Sequence, residues 1–157
     1  MALRTILLQH DETLKKKSRP VESFDARLHQ LLDDMTETMK EANGLGLAAP
    51  QVGVLRRAAV IATPDGAIIE LVNPTVVSSA GKNEGAEGCL SVPGVFGIVI
   101  RPQTIVARAQ DRHGAWFELS VDGLPARAVC HEVEHLEGEL FLDKVIRFID
   151  RDEMEHV

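Results

Sequence analysis

The sequence predicts an α+β fold, in which antiparallel strands pack around a central helix bearing an HExxH string and an amphipathic helix lies toward the N-terminus. Three observations predict it. Apolar residues at Phe24, Leu28, Leu31, Leu32, Met35 and Met39 recur at the spacing that lines one face of a helix. The middle of the chain then breaks into short β-rich runs divided by Gly, Pro, Asn and Asp. Helical pattern returns at PARAVCHEVEHLEG. Helix, several strands and helix in that order is the signature of segregated α+β architecture.

In chain order, the first helix has Ser23 as its expected N-cap and Gly44 as its stop. Its stripe, methionines included, reads as core. The strand runs are RRAAVIAT, AIIELVN, TVVSS, FGIVIR, TIVARAQD and FELSVDG, rich in Val, Ile and Phe as pleated surfaces favour. In the final helix Pro125 suits the first turn, where its missing N–H costs nothing, and Gly138 suits the end. The chain of 157 residues fits a single domain spanning 1–157, with no internal repeat, linker or low-complexity tract.

Composition narrows the function classes. With 45% hydrophobic and 26% charged residues the chain is an ordinary globular one, and no segment is apolar for long enough to cross a bilayer. The first residues lack the order of a signal peptide, so a cytoplasmic location is expected. The net charge of −7 disfavours direct nucleic-acid binding, and the basic run Lys15 to Lys17 reads as a solvated face. Cys89 and Cys130 are better suited to metal ligation or burial than to a lone disulfide.

The chemistry concentrates in HEVEH, residues 131–135. His131 and His135 share one helix face, so two imidazoles can grip one metal ion while Glu132 takes a proton from a water beside it. A solvated helix face is the plain alternative. A catalytic metal needs a third protein ligand and an open position. Glu139, Asp143 and Asp150 are nominal candidates, but the Cys89 thiolate in EGCLSVPG is chemically better. Alone, Cys89 would read as a small buried hydrophobe. GLGLAAPQVG, residues 44–53, lacks the Lys and Ser/Thr of a phosphate loop, and its glycines suit close approach of another backbone, such as a bound peptide. Gln51 there could donate to a developing oxyanion.

Together and in this order, GLGLAAPQ, EGCLS and HExxH followed by LxG resemble the three signature motifs of the peptide deformylases. The similarity runs along nearly the whole chain, including the HDETLKKKSRPV opening and the DRHG turn. The resemblance implies that Cys89, His131 and His135 bind one divalent metal ion per chain, with iron(II) expected and zinc, nickel or cobalt as alternatives. It implies that Glu132 is the general acid/base and that Gln51 and the Leu90 N–H hold the formyl oxygen. Gly46 would pair with the substrate backbone, and Leu45 and Leu124 would line the methionine side-chain pocket. Glu87 would pair with Arg101. The implied reaction is hydrolysis of the formyl group from N-formylmethionyl peptides of nascent proteins, releasing formate.

The sequence departs from the family pattern in places. Cys130 stands where many members have Gln, and Glu134 where Asp is common. Neither removes a ligand: Cys130 should face the core, and Glu134 should act on the support of the ligands. The stretch between residue 51 and Cys89 has no room for the long insertion of the second bacterial class, so the first class fits better. The final RFIDRDEMEHV is short and mixed in charge where many members continue into a basic ribosome-docking helix, so any ribosome contact is expected to be transient. The rival readings are another metal-dependent amidase on the same scaffold and a non-catalytic metal- or peptide-binding relative. The joint presence of Glu132, Gln51 and all three ligands speaks against the second.

Overall fold

The computed structural model describes residues 2–155. A 3-10 turn at Glu12–Lys15 precedes helix α1, Ala26–Glu41. The strands β1 Gly46–Ala48, β2 Ala58–Ala62, β3 Ile68–Ala80, β4 Asn83–Cys89, β5 Val92–Arg101, β6 Thr104–Gln110 and β7 Trp116–Asp122 follow. Helix α2, Gly123–Leu136, then strand β8, Val145–Ile149, and the short α3, Arg151–Glu155, complete the order. All strand pairings are antiparallel, in a five-stranded sheet β1-β2-β3-β6-β7 and a three-stranded sheet β4-β5-β8. No helix among the described residues is long and apolar enough to cross a membrane.

The boundaries of α1 differ from the sequence expectation at both ends. Its N-cap is Asp25, whose carboxylate accepts from the Leu28 N–H at 3.1 Å, so Ser23 lies outside the helix. Phe24 packs on the core from the preceding loop rather than from the helix. At the other end Asn43, not Gly44, adopts the left-handed conformation, with φ 57°, and the Gly44 N–H closes on the Met39 carbonyl at 2.9 Å. Asn takes this conformation more readily than most side chains.

Two runs expected as separate strands, AIIELVN and TVVSS, fuse into β3. Asn73 and Pro74 sit where its register to β6 shifts between Val72 and Thr75, and such an irregularity tolerates a residue without an N–H. Strands β1, β4 and β8 were not expected. β4 reads NEGAEGC, with neither alternation nor β-branched residues, and it is a strand because β5 pairs along it.

The core has two main clusters. Leu28, Leu31, Leu32, Met35 and Met39 of α1 pack with Leu47, Ala58, Val60 and Val72 of β1, β2 and β3. Each of the larger buried side chains among these contributes about 1.5–3 kcal/mol. On the second, Ala126 and Val129 of α2 pack with Ile61, Leu71, Ile105 and Ala107. The remaining face of α2 turns toward β4 and β5, so this helix lies between the two sheets.

Candidate metal centre and active site

The first turns of α2 carry Arg127, and one turn later comes His131, then His135, each four residues on and therefore on one stripe. β4 ends at Cys89 opposite this stripe. The ligand atoms of Cys89, His131 and His135 all lie within 4.8 Å of one another, and Cys89 Sγ is 3.3 Å from His135 Nε2. For bonds of about 2.3 Å to sulfur and about 2.1 Å to nitrogen, tetrahedral ligand atoms would stand about 3.6 Å apart. The cluster therefore has the size of a metal cage. Cys89 and Cys130 are both free, and Cys130 packs half-buried against the second apolar cluster.

The two imidazoles are held differently. His131 Nδ1 donates to Glu87 Oε1 at 2.9 Å, which leaves the Nε2 lone pair for a ligand. His135 Nδ1 is buried with no partner among the described residues. Burial, reinforced by His131 and then Arg101, keeps His135 well below the ordinary histidine range, so it is neutral as a metal ligand must be. Burial pushes His131 the same way, but the Cys89 sulfur and Glu87 outweigh it and raise it.

Glu87 is the centre of a buried polar network. Arg101 meets it in a two-pronged pair, Nε to Oε2 at 2.8 Å and Nη2 to Oε1 at 2.9 Å, and Arg127 Nη1 adds a bond to Oε2 at 2.7 Å. Burial alone would raise this carboxyl, but the bonds from Arg101 and His131 hold it down at about 2. Glu134 accepts from Arg101 Nη1 at 2.6 Å and from Lys144 Nζ at 2.5 Å, supporting the network rather than the ligand cluster directly.

Glu132 is buried beside the ligands, and its Oε1 has no partner among the described residues. Burial pushes its carboxyl up to about 7, with the His131 charge opposing and Glu87 adding to the rise. At neutral pH such a group can both accept and give a proton. Gly46 of β1 makes room for it: a Cβ built there would collide with the Glu132 carboxylate, 2.9 Å from Cδ. Gln51 is buried and fixed at both ends, its Oε1 accepting from the Ala48 N–H at 2.9 Å and its Nε2 donating to Ser91 Oγ at 3.0 Å. That nitrogen also lies 3.6 Å from Cys89 Sγ.

These groups open into a cleft of about 490 Å³. Gly46, Gln51, Cys89, Leu90, His131 and Glu132 line it, as do Leu45 and Leu124. Leu45 is 52% exposed and Leu124 47%, so the mouth is apolar and open. Among the described residues β1 forms the edge of the five-stranded sheet, pairing with β2 on one side only. An extended peptide could add a strand there.

The match to known proteins agrees with this geometry. A sequence profile of the polypeptide deformylases matches residues 3–150. The chain belongs to the polypeptide deformylase family. The peptide deformylase of Caldicellulosiruptor bescii is 61% identical over 155 residues, covering 99% of this chain and 93% of that protein. Among solved structures, a peptide deformylase from Legionella pneumophila superposes with a TM-score of 0.87 at 42% identity, covering 98% of this chain and 90% of that one. A class I type b peptide deformylase from Acinetobacter baumannii gives 0.90 at 35% identity, covering 92% and 100%.

The motifs do not point to Arg127, to the wall that Phe96, Arg151 and Met154 add to this deformylase cleft, or to the buried Ser91 that holds Gln51 from behind. Only Arg127 had a legible signal, an arginine one turn before His131 on the same stripe. Ser91 and the short α3 come into place through tertiary folding alone.

Proposed function

We propose that Cys89, His131 and His135 hold one divalent metal ion and that the cleft around them binds the formylated end of a peptide. The chain is an enzyme of the deformylase family, a hydrolase that removes the N-formyl group from nascent peptides. The observation that carries the site assignment is the convergence of one cysteine from β4 and two histidines from α2, with Glu132 buried beside them and its Oε1 without a partner among the described residues. Among the described residues three protein ligands gather there, as in catalytic rather than structural sites. Iron(II) is the metal we propose from the family resemblance, although thiolate and imidazole also suit zinc, nickel or cobalt. The catalytic unit is read as a single domain working in the cytoplasm.

When bound, the metal would acidify a water and polarise the formyl oxygen. Glu132 accepts the proton of the attacking water and passes it to the departing amine nitrogen. Gln51 Nε2 and the Leu90 N–H donate to the formyl oxygen as negative charge builds on it; the Gln51 amide is already held by Ala48 and Ser91, so little reorganisation is needed. Gly46, on the free edge of β1, pairs with the substrate backbone. Leu45 and Leu124 cover the methionine side chain, and this contact accounts for their exposure in the free protein.

The test is formate release from formyl-Met-Ala peptides, measured anaerobically with iron(II) or nickel beside the acetylated analogue. Rapid release from the formyl peptide alone is expected. Equal cleavage of both would support the rival amidase reading. If the native ion is iron(II) bound through Cys89, activity should decay in air and nickel should protect it; equal air stability of the two forms would count against iron.

A further inference from the structure

Arg127 is buried, charged and without a role in the chemistry above. Its guanidinium reaches from α2 across to β4 and β5 of the three-stranded sheet. Nη1 donates to Glu87 Oε2 at 2.7 Å and to the Val99 carbonyl of β5 at 2.9 Å, with a longer contact of 3.4 Å to the Gly85 carbonyl. Nη2 donates to the Asn83 carbonyl at 2.8 Å and to Asn83 Oδ1 at 2.9 Å. Four residues of the sheet are thus gripped by one planar fork, a pattern of donors that lysine cannot reproduce.

The sheet is shaped to receive it. Gly85 lies beneath the guanidinium, and a Cβ built there would stand 2.8 Å from Nη2 and 2.9 Å from Cζ. The strand so gripped, β4, runs on from Asn83, Gly85 and Glu87 to end at Cys89. The helix that grips it carries His131 one turn later. Between these points nothing covalent sets the distance from cysteine to histidine, since they are far apart in sequence. Non-covalent ties must set it, and outside the ligand cluster itself, where Cys89 Sγ meets His135 Nε2, the Arg127 fork and the Glu87 to His131 bond join β4 to this stripe of α2.

We propose that Arg127 is a positioning residue for the metal site: it sets the cysteine strand against the histidine helix and, through Glu87, fixes His131 with Nε2 turned to the ligand cluster. This rests on the metal-site reading above. Arg127 touches neither metal nor reacting atoms, so its loss should first appear in the strength of metal binding. Groups that orient a ligand in this way typically change metal affinity by about 10- to 100-fold.

The experiment titrates cobalt(II) and zinc(II) against a competing chelator, with the cobalt–thiolate absorption reporting the Cys89 bond, and records Tm on the same preparations. Parent, Arg127→Met, Arg127→Lys and Gly85→Ala are compared with Arg112→Met. Arg112 holds Glu70 and Asp33 in a separate network and serves as a control for general loss of stability. Arg127→Met should bind both metals at least about 10-fold more weakly with a reduced cobalt–thiolate band. Arg127→Lys and Gly85→Ala should fall between it and the parent, and Arg112→Met should bind like the parent. If Arg127→Met does not fold, the two milder variants decide by the same titration. Parent-like affinity in the Arg127 variants, or an equal loss in Arg112→Met, would overturn the proposal. Failure of the parent itself to bind either metal would instead overturn the metal-site reading on which it stands.

Discussion

Helices α1 and α2 are both buried along one face, but they bury different chemistry. α1 buries Leu28, Leu31, Leu32, Met35 and Met39 against β1 to β3, and its polar buried groups, Asp34 and Thr38, serve the N-terminal segment. α2 buries Arg127, His131, Glu132 and His135 as well as Ala126, Ala128, Val129 and Leu136. Dispersion and the hydrophobic effect hold α1, and these are non-directional, so several side chains of similar volume would serve. The stripe of α2 is held by hydrogen bonds and charge, which fix atoms rather than volumes, and an unpaired member is costly. The first helix serves the core alone, whereas the second adds the proposed chemistry to its own share of the core.

The difference can be broken most severely at the metal cluster. Cys89→Ala should lose bound metal and with it essentially all formate release while the fold survives, because the α1 core is untouched; metal analysis, circular dichroism and turnover on one preparation check this. Glu132→Gln comes next. It keeps size and polarity, so metal content and peptide affinity should hold while turnover falls by about 100-fold or more. Near-normal turnover would remove Glu132 from the mechanism, and loss of metal would make it a ligand.

Gly46→Ala sharpens the contrast from the strand side. The added methyl displaces the Glu132 carboxylate and should lower kcat by about 10- to 100-fold without changing metal content, since misplacement by about an ångström has that effect. In α1 the outcome should reverse. Leu32→Ala empties a fully buried site and should cost about 2–5 kcal/mol in denaturant unfolding, yet leave metal affinity and turnover of the folded protein unchanged. A change in metal affinity there would show that the two helices are coupled.

The smallest effect is expected at Asp34. Burial raises its carboxyl, but the Ala2 N–H, Gln30 and Arg4 outweigh it and hold it below the usual range. A carboxyl depressed on folding contributes stability that is present above its unfolded pKa of about 3.9 and lost as pH falls through the folded value. The Tm difference between parent and Asp34→Asn should therefore be largest near neutrality and shrink in acid. A difference that grows below pH ~4 would contradict the sign.

The sequence is most legible where physics is local. The stripe of α1, the His131 to His135 spacing and the β-branched runs of β2, β5, β6 and β7 are set by periodicity within a few residues, and the motifs carrying Gln51, Cys89 and HEVEH could be read as strings. Elements that depend on partners distant in sequence leave no such local mark. NEGAEGC has no strand propensity to display, and it is extended because β5 offers it a ladder of backbone groups. Gly44 looked like the helix stop, while Asn43 takes the left-handed turn.

By itself, then, the sequence determined the helix faces, the apolar surface available for burial and the kinds of ligand and proton-transfer groups present, because each depends on side-chain chemistry and repeat period. Only the tertiary structure decided that β4 brings Cys89 to within 3.3 Å of His135, that Gly46 vacates space for the Glu132 carboxylate, and that Arg127 spans from α2 to Asn83, Glu87 and Val99. Those distances arise from the packing of two sheets about one helix, and no local propensity encodes the separation of residues that meet only after the chain has folded.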